Sequence, residues 1–150
     1  MEKLVEEFNK NGIYLVIEDD LPGTKTRGAF KILNNTPAIY LTRKHRRIAD
    51  IYFALLHELA HCKSDFNRAK SGCMISSENE SKEDYEIKAD AQALNWMFDK
   101  TSYLLLKENS KLIENGNYNK CFAVYRLALD KIIDYKSDLY QINNPVIIDN

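Results

Sequence analysis

The chain has 150 residues, 45% of them apolar, enough to bury a sizeable core without disulfide staples. Its 21 Lys and Arg against 22 Asp and Glu leave a net charge of −1, which argues against nucleic-acid binding by bulk charge and against a polybasic membrane anchor. Cys62, Cys73 and Cys121 lack CxxC spacing, and the acidic start Met1–Glu7 lacks the apolar core of a signal segment, so reduced thiols and a cytoplasmic location are expected.

No repeat, low-complexity tract or Pro- or Gly-rich linker interrupts the chain, so one domain over residues 1–150 is expected. Leu4, Val5 and Phe8 have helical spacing within Glu2–Lys10, and Asn11-Gly12 supplies a stop. Ile13–Glu18 is rich in β-branched and aromatic residues and reads as a strand, broken by the turn chemistry of Asp19–Gly23. Gly28–Leu33 and Ala38–Thr42 read as two further strands around Asn34-Asn35-Thr36-Pro37, a hairpin. From Arg46 the period changes. Ile48, Ile51, Tyr52, Leu55, Leu56 and Leu59 recur at three and four, predicting an apolar helix to about Cys62. Its densest apolar run, Ile51 to Leu56, is far too short to span a membrane. Lys63–Asp84 is polar and reads as a loop. Helices are expected at about Lys82–Asp99, Ser102–Glu114 (stopped by Asn115-Gly116-Asn117) and Asn119–Ile133, with an irregular or extended tail around Pro145. A helix, a small mainly antiparallel three-stranded sheet and then mostly helices make an α+β fold.

Two of the three histidines lie four residues apart, in Leu56-His57-Glu58-Leu59-Ala60-His61. This HExxH pattern falls inside the strongest predicted helix; chance would produce it in a chain of this composition about 0.4% of the time. At 3.6 residues per turn His57 and His61 share a face and can reach one metal ion, while Glu58, one residue round, is placed to take a proton from water. A third ligand is needed. One class of HExxH enzymes uses a His ten residues after the first, behind a Gly turn, but Asn67 and Ser64 occupy those positions. His45 precedes the motif inside the basic cluster Arg43–Arg47, which reads as a solvated helix entry rather than a ligand source. Glu86-Ile87-Lys88-Ala89-Asp90 offers the alternative: Glu86 as ligand, with Asp90 one turn on to accept a hydrogen bond from a ligand histidine. Glu80 and Glu83 are substitutes without an Asp four residues on. Cys62 should point away from the metal, and Cys73 reads as an ordinary loop cysteine.

Tyr52–His61 (YFALLHELAH) followed by Glu86–Ala93 (EIKADAQA) resembles the ImmA/IrrE family of metallopeptidases, and Ala38–Leu41, Arg43–Arg47 and Phe122–Leu127 fit its layout. The likeness covers roughly residues 12–130. Gln92, Leu94-Asn95-Trp96-Met97-Phe98 and Cys62-Lys63-Ser64-Asp65 depart from the family pattern. The departures leave every proposed ligand in place and bear on the substrate groove.

The resemblance implies a minimal zincin-like metallopeptidase domain. It also implies a helix-turn-helix transcriptional repressor as protein substrate, in a bacterial or phage regulatory system. About 12 residues precede the first strand, so no DNA-binding domain is expected there, and neither is direct contact with nucleic acid or membrane. In the expected mechanism His57, His61 and Glu86 hold Zn²⁺, for which Mn²⁺ could substitute, and Glu58 shuttles the proton from water to the leaving amine. Tyr52, Tyr85 and His45 are candidate donors to the oxyanion. The competing expectation is a non-catalytic, metal-stabilised module that binds a repressor or antitoxin without cutting it. Glu58 speaks against it, because a structural site needs no base.

Overall fold

The computed structural model describes residues 1–19, 23, 25–44, 47–77, 83–114 and 116–147. Residues 20–22 of the expected turn, His45 and Arg46 of the basic cluster, Glu80, Lys82 and Asn115 lie outside them. Contacts within the chain divide it into two compact units, residues 1–44 with 54–93 and residues 45–53 with 94–150.

In the first unit, helix α1 (Glu2–Lys10) leads into β1 (Tyr14–Glu18), β2 (Thr26–Leu33) and β3 (Thr36–Thr42). β2 and β3 form the expected antiparallel hairpin, with Leu33 opposite Thr36. The two turn residues, Asn34 and Asn35, have φ of 49° and 64°, the left-handed conformation that a two-residue hairpin turn demands and that Asn tolerates. β1 runs parallel to β3, a pairing that needs a long crossover, and β2 with its turn supplies part of it. Helix α2 (Ile48–Ser64) follows. From Ile48 to Cys62 it has no exposed residue among those described, so it is buried all round rather than striped.

The span Lys63–Asp84, expected as a loop, is not one. It contains α3 (Phe66–Ser71) and β4 (Met74–Ser77), which pairs antiparallel with the open edge of β2. The sheet therefore has four strands in the order β1-β3-β2-β4, mixed rather than three-stranded, in an α+β fold. The alternate residues Leu15, Phe30, Ile32, Ile39, Leu41 and Met74 form one core with Ala54 and Leu55 of α2 and Ala69 of α3, and Cys62 packs against it. Helix α4 (Asp84–Met97) puts Ala89, Ala93 and Met97 inside, each four residues on from the last along one face.

In the second unit, α5 (Lys100–Glu108), a 3₁₀ turn (Ser110–Glu114), α6 (Lys120–Leu129) and the short α7 (Asp138–Asn143) surround Phe98, Tyr103, Leu106, Ile113, Val124, Leu127 and Tyr140. The helix expected over Ser102–Glu114 is thus broken at Asn109. The one expected to Ile133 ends at Leu129, where Lys131 turns at φ 59°. Side chains of Asp99, Asn119 and Ser137 accept hydrogen bonds from Ser102, Phe122 and Tyr140 backbone N–H groups, the usual means of satisfying a helix start. The fully buried Asn144 does the same for α2: its Oδ1 accepts from the Ala49 N–H at 3.0 Å, and its Nδ2 donates to Tyr140 Oη at 2.9 Å. No helix among the described residues is long and apolar enough to cross a membrane.

Candidate metal centre

The buried course of α2 carries His57, Glu58 and His61 into the interior of the first unit, and the first turns of α4 bring Glu86 and Asp90 to the same place. His57 Nε2 and His61 Nε2 lie 3.0 Å apart. Glu86 spans both, with Oε2 3.1 Å from His57 Nε2 and Oε1 3.3 Å from His61 Nε2. One ligand atom from each of the three residues lies within 4.8 Å of the others, so His57, His61 and Glu86 could hold one metal ion.

The far side of each imidazole is also taken. His57 Nδ1 is 2.9 Å from Asp90 Oδ1, and His61 Nδ1 is 2.9 Å from Asp65 Oδ2. With Nδ1 donating to a carboxylate, each ring turns Nε2 toward its partner and Glu86, donating to Glu86 when the ring is protonated and offering a lone pair to a metal when it is neutral. Asp90 was expected from its spacing. Asp65 was not, although its place four residues after His61 is the same signal.

Electrostatics follow from this crowding. Burial, the largest influence on His57, disfavours its charged form, but the Asp90 and Glu86 carboxylates together outweigh it and push its pKa up to about 9. His61 moves upward likewise, burial being overcome by Glu86 and Asp65. For Glu86 burial favours the neutral acid, yet hydrogen bonds from both histidines pull the carboxyl down to about 2. Glu58 is displaced the other way: burial pushes it up to about 7 against the attraction of His57.

Glu58 has no exposed surface, and neither carboxylate oxygen makes a hydrogen bond of good geometry among the described residues, although the Ser76 hydroxyl is near enough to favour its charged form. Two strands close over it. Gly28 of β2 faces it so closely that a Cβ there would stand 2.7 Å from Glu58 Oε1. Ser76 of β4 is Gly28's register partner across the β2–β4 bulge, and its buried hydroxyl, which makes no hydrogen bond of good geometry among the described residues, lies beside the Glu58 carboxylate. The centre is most open at its acids: the side chains of Asp90, Glu86 and Asp65 are 21%, 16% and 16% exposed.

The donor set suits a divalent metal. It has two imidazole nitrogens and a carboxylate facing one another, both rings braced from behind, and a buried carboxylate beside them. Of the three suggested oxyanion donors only Tyr85 is placed here, its ring centre 5.8 Å from that of His61 and 4.1 Å from the Arg68 guanidinium. Tyr52 packs at a tilt against Phe122 in the second unit, 5.6 Å between ring centres, and His45 lies outside the described residues. Glu83, the substitute ligand, is exposed and 3.9 Å from Arg68. No protein-family model matches the chain, and no curated protein matches it.

Proposed function

We propose that the protein is a zinc-dependent endopeptidase with His57, His61 and Glu86 as ligands and Glu58 as general base. The observation that carries this reading is Glu58 itself. A carboxylate buried without a hydrogen bond of good geometry costs stability, by roughly 1–3 kcal/mol or more. A metal site that served only to hold the fold together would not need that residue.

Zinc, when bound, supplies a Lewis acid that polarises the scissile carbonyl and makes water easier to deprotonate. Mn²⁺ is the substitute, since two imidazoles and a carboxylate select weakly between the two. Glu58 accepts the proton of the attacking water at a carboxylate oxygen. The water oxygen bonds to the peptide carbon, and the C–N bond breaks as Glu58 returns the proton to the departing amine. A pKa near 7 suits both halves of that transfer at neutral pH. Asp90 and Asp65 keep the two rings in the ligating tautomer. Tyr85, beside His61, is the donor best placed to meet the developing oxyanion.

The substrate is a protein. Likeness to the ImmA/IrrE pattern makes a helix-turn-helix repressor the first choice, in a bacterial or phage regulatory circuit. The test pairs zinc-loaded wild type and Glu58→Gln with the repressor encoded beside the gene. Wild type should cut at one or a few bonds, while the variant keeps stoichiometric zinc and loses about 10²–10⁴-fold in rate. Equal processing by both proteins, or none by wild type, would overturn the peptidase reading and leave a metal-stabilised binding module.

A further inference from the structure

We propose that Asp65 is a positioning residue for the metal centre, the counterpart on His61 of what Asp90 is on His57; the proposal rests on the metal-centre reading above. Asp65 is the residue before α3 and stands in its N-cap position, where an Asp side chain ordinarily accepts a hydrogen bond from the first helical turn. It makes no such bond. Its backbone continues from α2 instead, at φ −119° and ψ 21° rather than in the extended conformation of a cap, with its N–H 2.8 Å from the His61 carbonyl oxygen. Its carboxylate turns back to His61 Nδ1 at 2.9 Å. One residue thus grips His61 by both backbone and ring, and a helix start goes without its cap.

The consequence is chemical as well as mechanical. A carboxylate accepting the Nδ1 proton fixes the Nε2 lone pair toward Glu86 and His57, and makes that nitrogen a better donor to a cation. Asp65 reaches its ring from the end of the ligand helix, Asp90 from α4. The two rings are therefore oriented by separate segments, and loss of one brace leaves the other in place.

The test uses the full chain and two readouts. In the metal-free protein, proton NMR should show a downfield Nδ1 proton of His61, assigned by its disappearance in His61→Gln. That signal should vanish in Asp65→Ala and persist in Asp90→Ala. Zinc affinity, measured by chelator competition, should fall about 10–100-fold in Asp65→Ala. Asp65→Asn, which keeps the shape and an acceptor but loses the charge, should fall less, and Asp65→Glu should recover part of the loss. Unchanged zinc affinity in both Asp65→Ala and Asp65→Asn, or a His61 signal unaffected by Asp65→Ala, would overturn the proposal. A protein that shows the signal but binds no divalent metal would sink the metal reading and leave the Asp65 contact standing. Zinc binding without the signal would do the reverse.

Discussion

A histidine that ligates a metal must give up the proton on the ligating nitrogen, and His57 and His61 sit among carboxylates that make that proton harder to lose. The pH dependence follows with a definite sign. His57 is held near 9 against an ordinary 6.5, so its contribution to stability is full below about 6.5 and disappears as pH rises through 9. Glu58, raised from 4.5 to about 7, acts in the same direction, because the folded protein keeps a proton that the unfolded chain releases. Glu86, pulled from 4.5 to about 2, stabilises above 4.5 and fails only as pH falls toward 2. The metal-free protein should therefore lose stability, on the order of a few kcal/mol, between about pH 5 and 9. Zinc replaces those protons, so its affinity should rise over the same window. Denaturant unfolding at about pH 5, 7 and 9, with and without zinc, checks this; a metal-free protein that gains stability with pH contradicts it. At this scale the sequence was most legible where spacing carries the chemistry. HExxH and Glu-x-x-x-Asp each place two side chains one turn apart, and that spacing points to His57, His61, Glu86 and Asp90. Asp65 has the same spacing from His61, but an acid at a helix end, at the edge of a polar stretch, reads from sequence as a solvated residue.

Elements show where local pattern stops being informative. The hairpin, α1, α2 and α4 were legible from apolar period and turn residues, with ends off by a few positions. α3 and β4 were not. Met74-Ile75-Ser76-Ser77 has too little apolar alternation to declare a strand, and its extended form depends on hydrogen bonds offered by the edge of β2. That strand matters to the site, since β2 and β4 together cover Glu58. Gly28 is the point of closest approach. Gly28→Ala would press a methyl to 2.7 Å from Glu58 Oε1 and 3.1 Å from both Glu58 Cγ and Leu41 Cδ2. The expected cost is about 1–2 kcal/mol, with the Glu58 carboxylate displaced and hydrolysis reduced by more than the stability loss explains. Zinc affinity should stay near that of wild type, because the three ligands come from α2 and α4. Thermal unfolding, zinc titration and peptide-bond cleavage measured on the same preparation separate these effects; a loss of zinc affinity equal to the loss of activity would contradict the assignment.

For the whole chain, a metal held by His57, His61 and Glu86 would couple segments that are distant in sequence. His57 and His61 lie on α2 and Glu86 on α4, so a metal held by all three binds the folded first unit and not the unfolded chain. Zinc at a hundred times its dissociation constant should then add about 2.7 kcal/mol of stability. A strong chelator should remove the gain, and Glu86→Ala should lose most of it. Differential scanning calorimetry with zinc and with chelator reads this directly, and an Glu86→Ala protein stabilised as much as wild type would move the third ligand elsewhere. The sequence by itself determined the helical frame of the ligands, the α+β order of elements and the absence of a need for disulfides, because periodicity, turn chemistry and composition act over a few residues. Only the tertiary structure decided which glutamate meets the histidines, that Asp65 braces one ring, and that a fourth strand lies over Glu58. The glutamate and the strand depend on groups brought together from distant positions, which neither spacing nor propensity encodes; Asp65 lies only four residues from His61, and there packing decides that its carboxylate meets the ring rather than solvent or the start of α3.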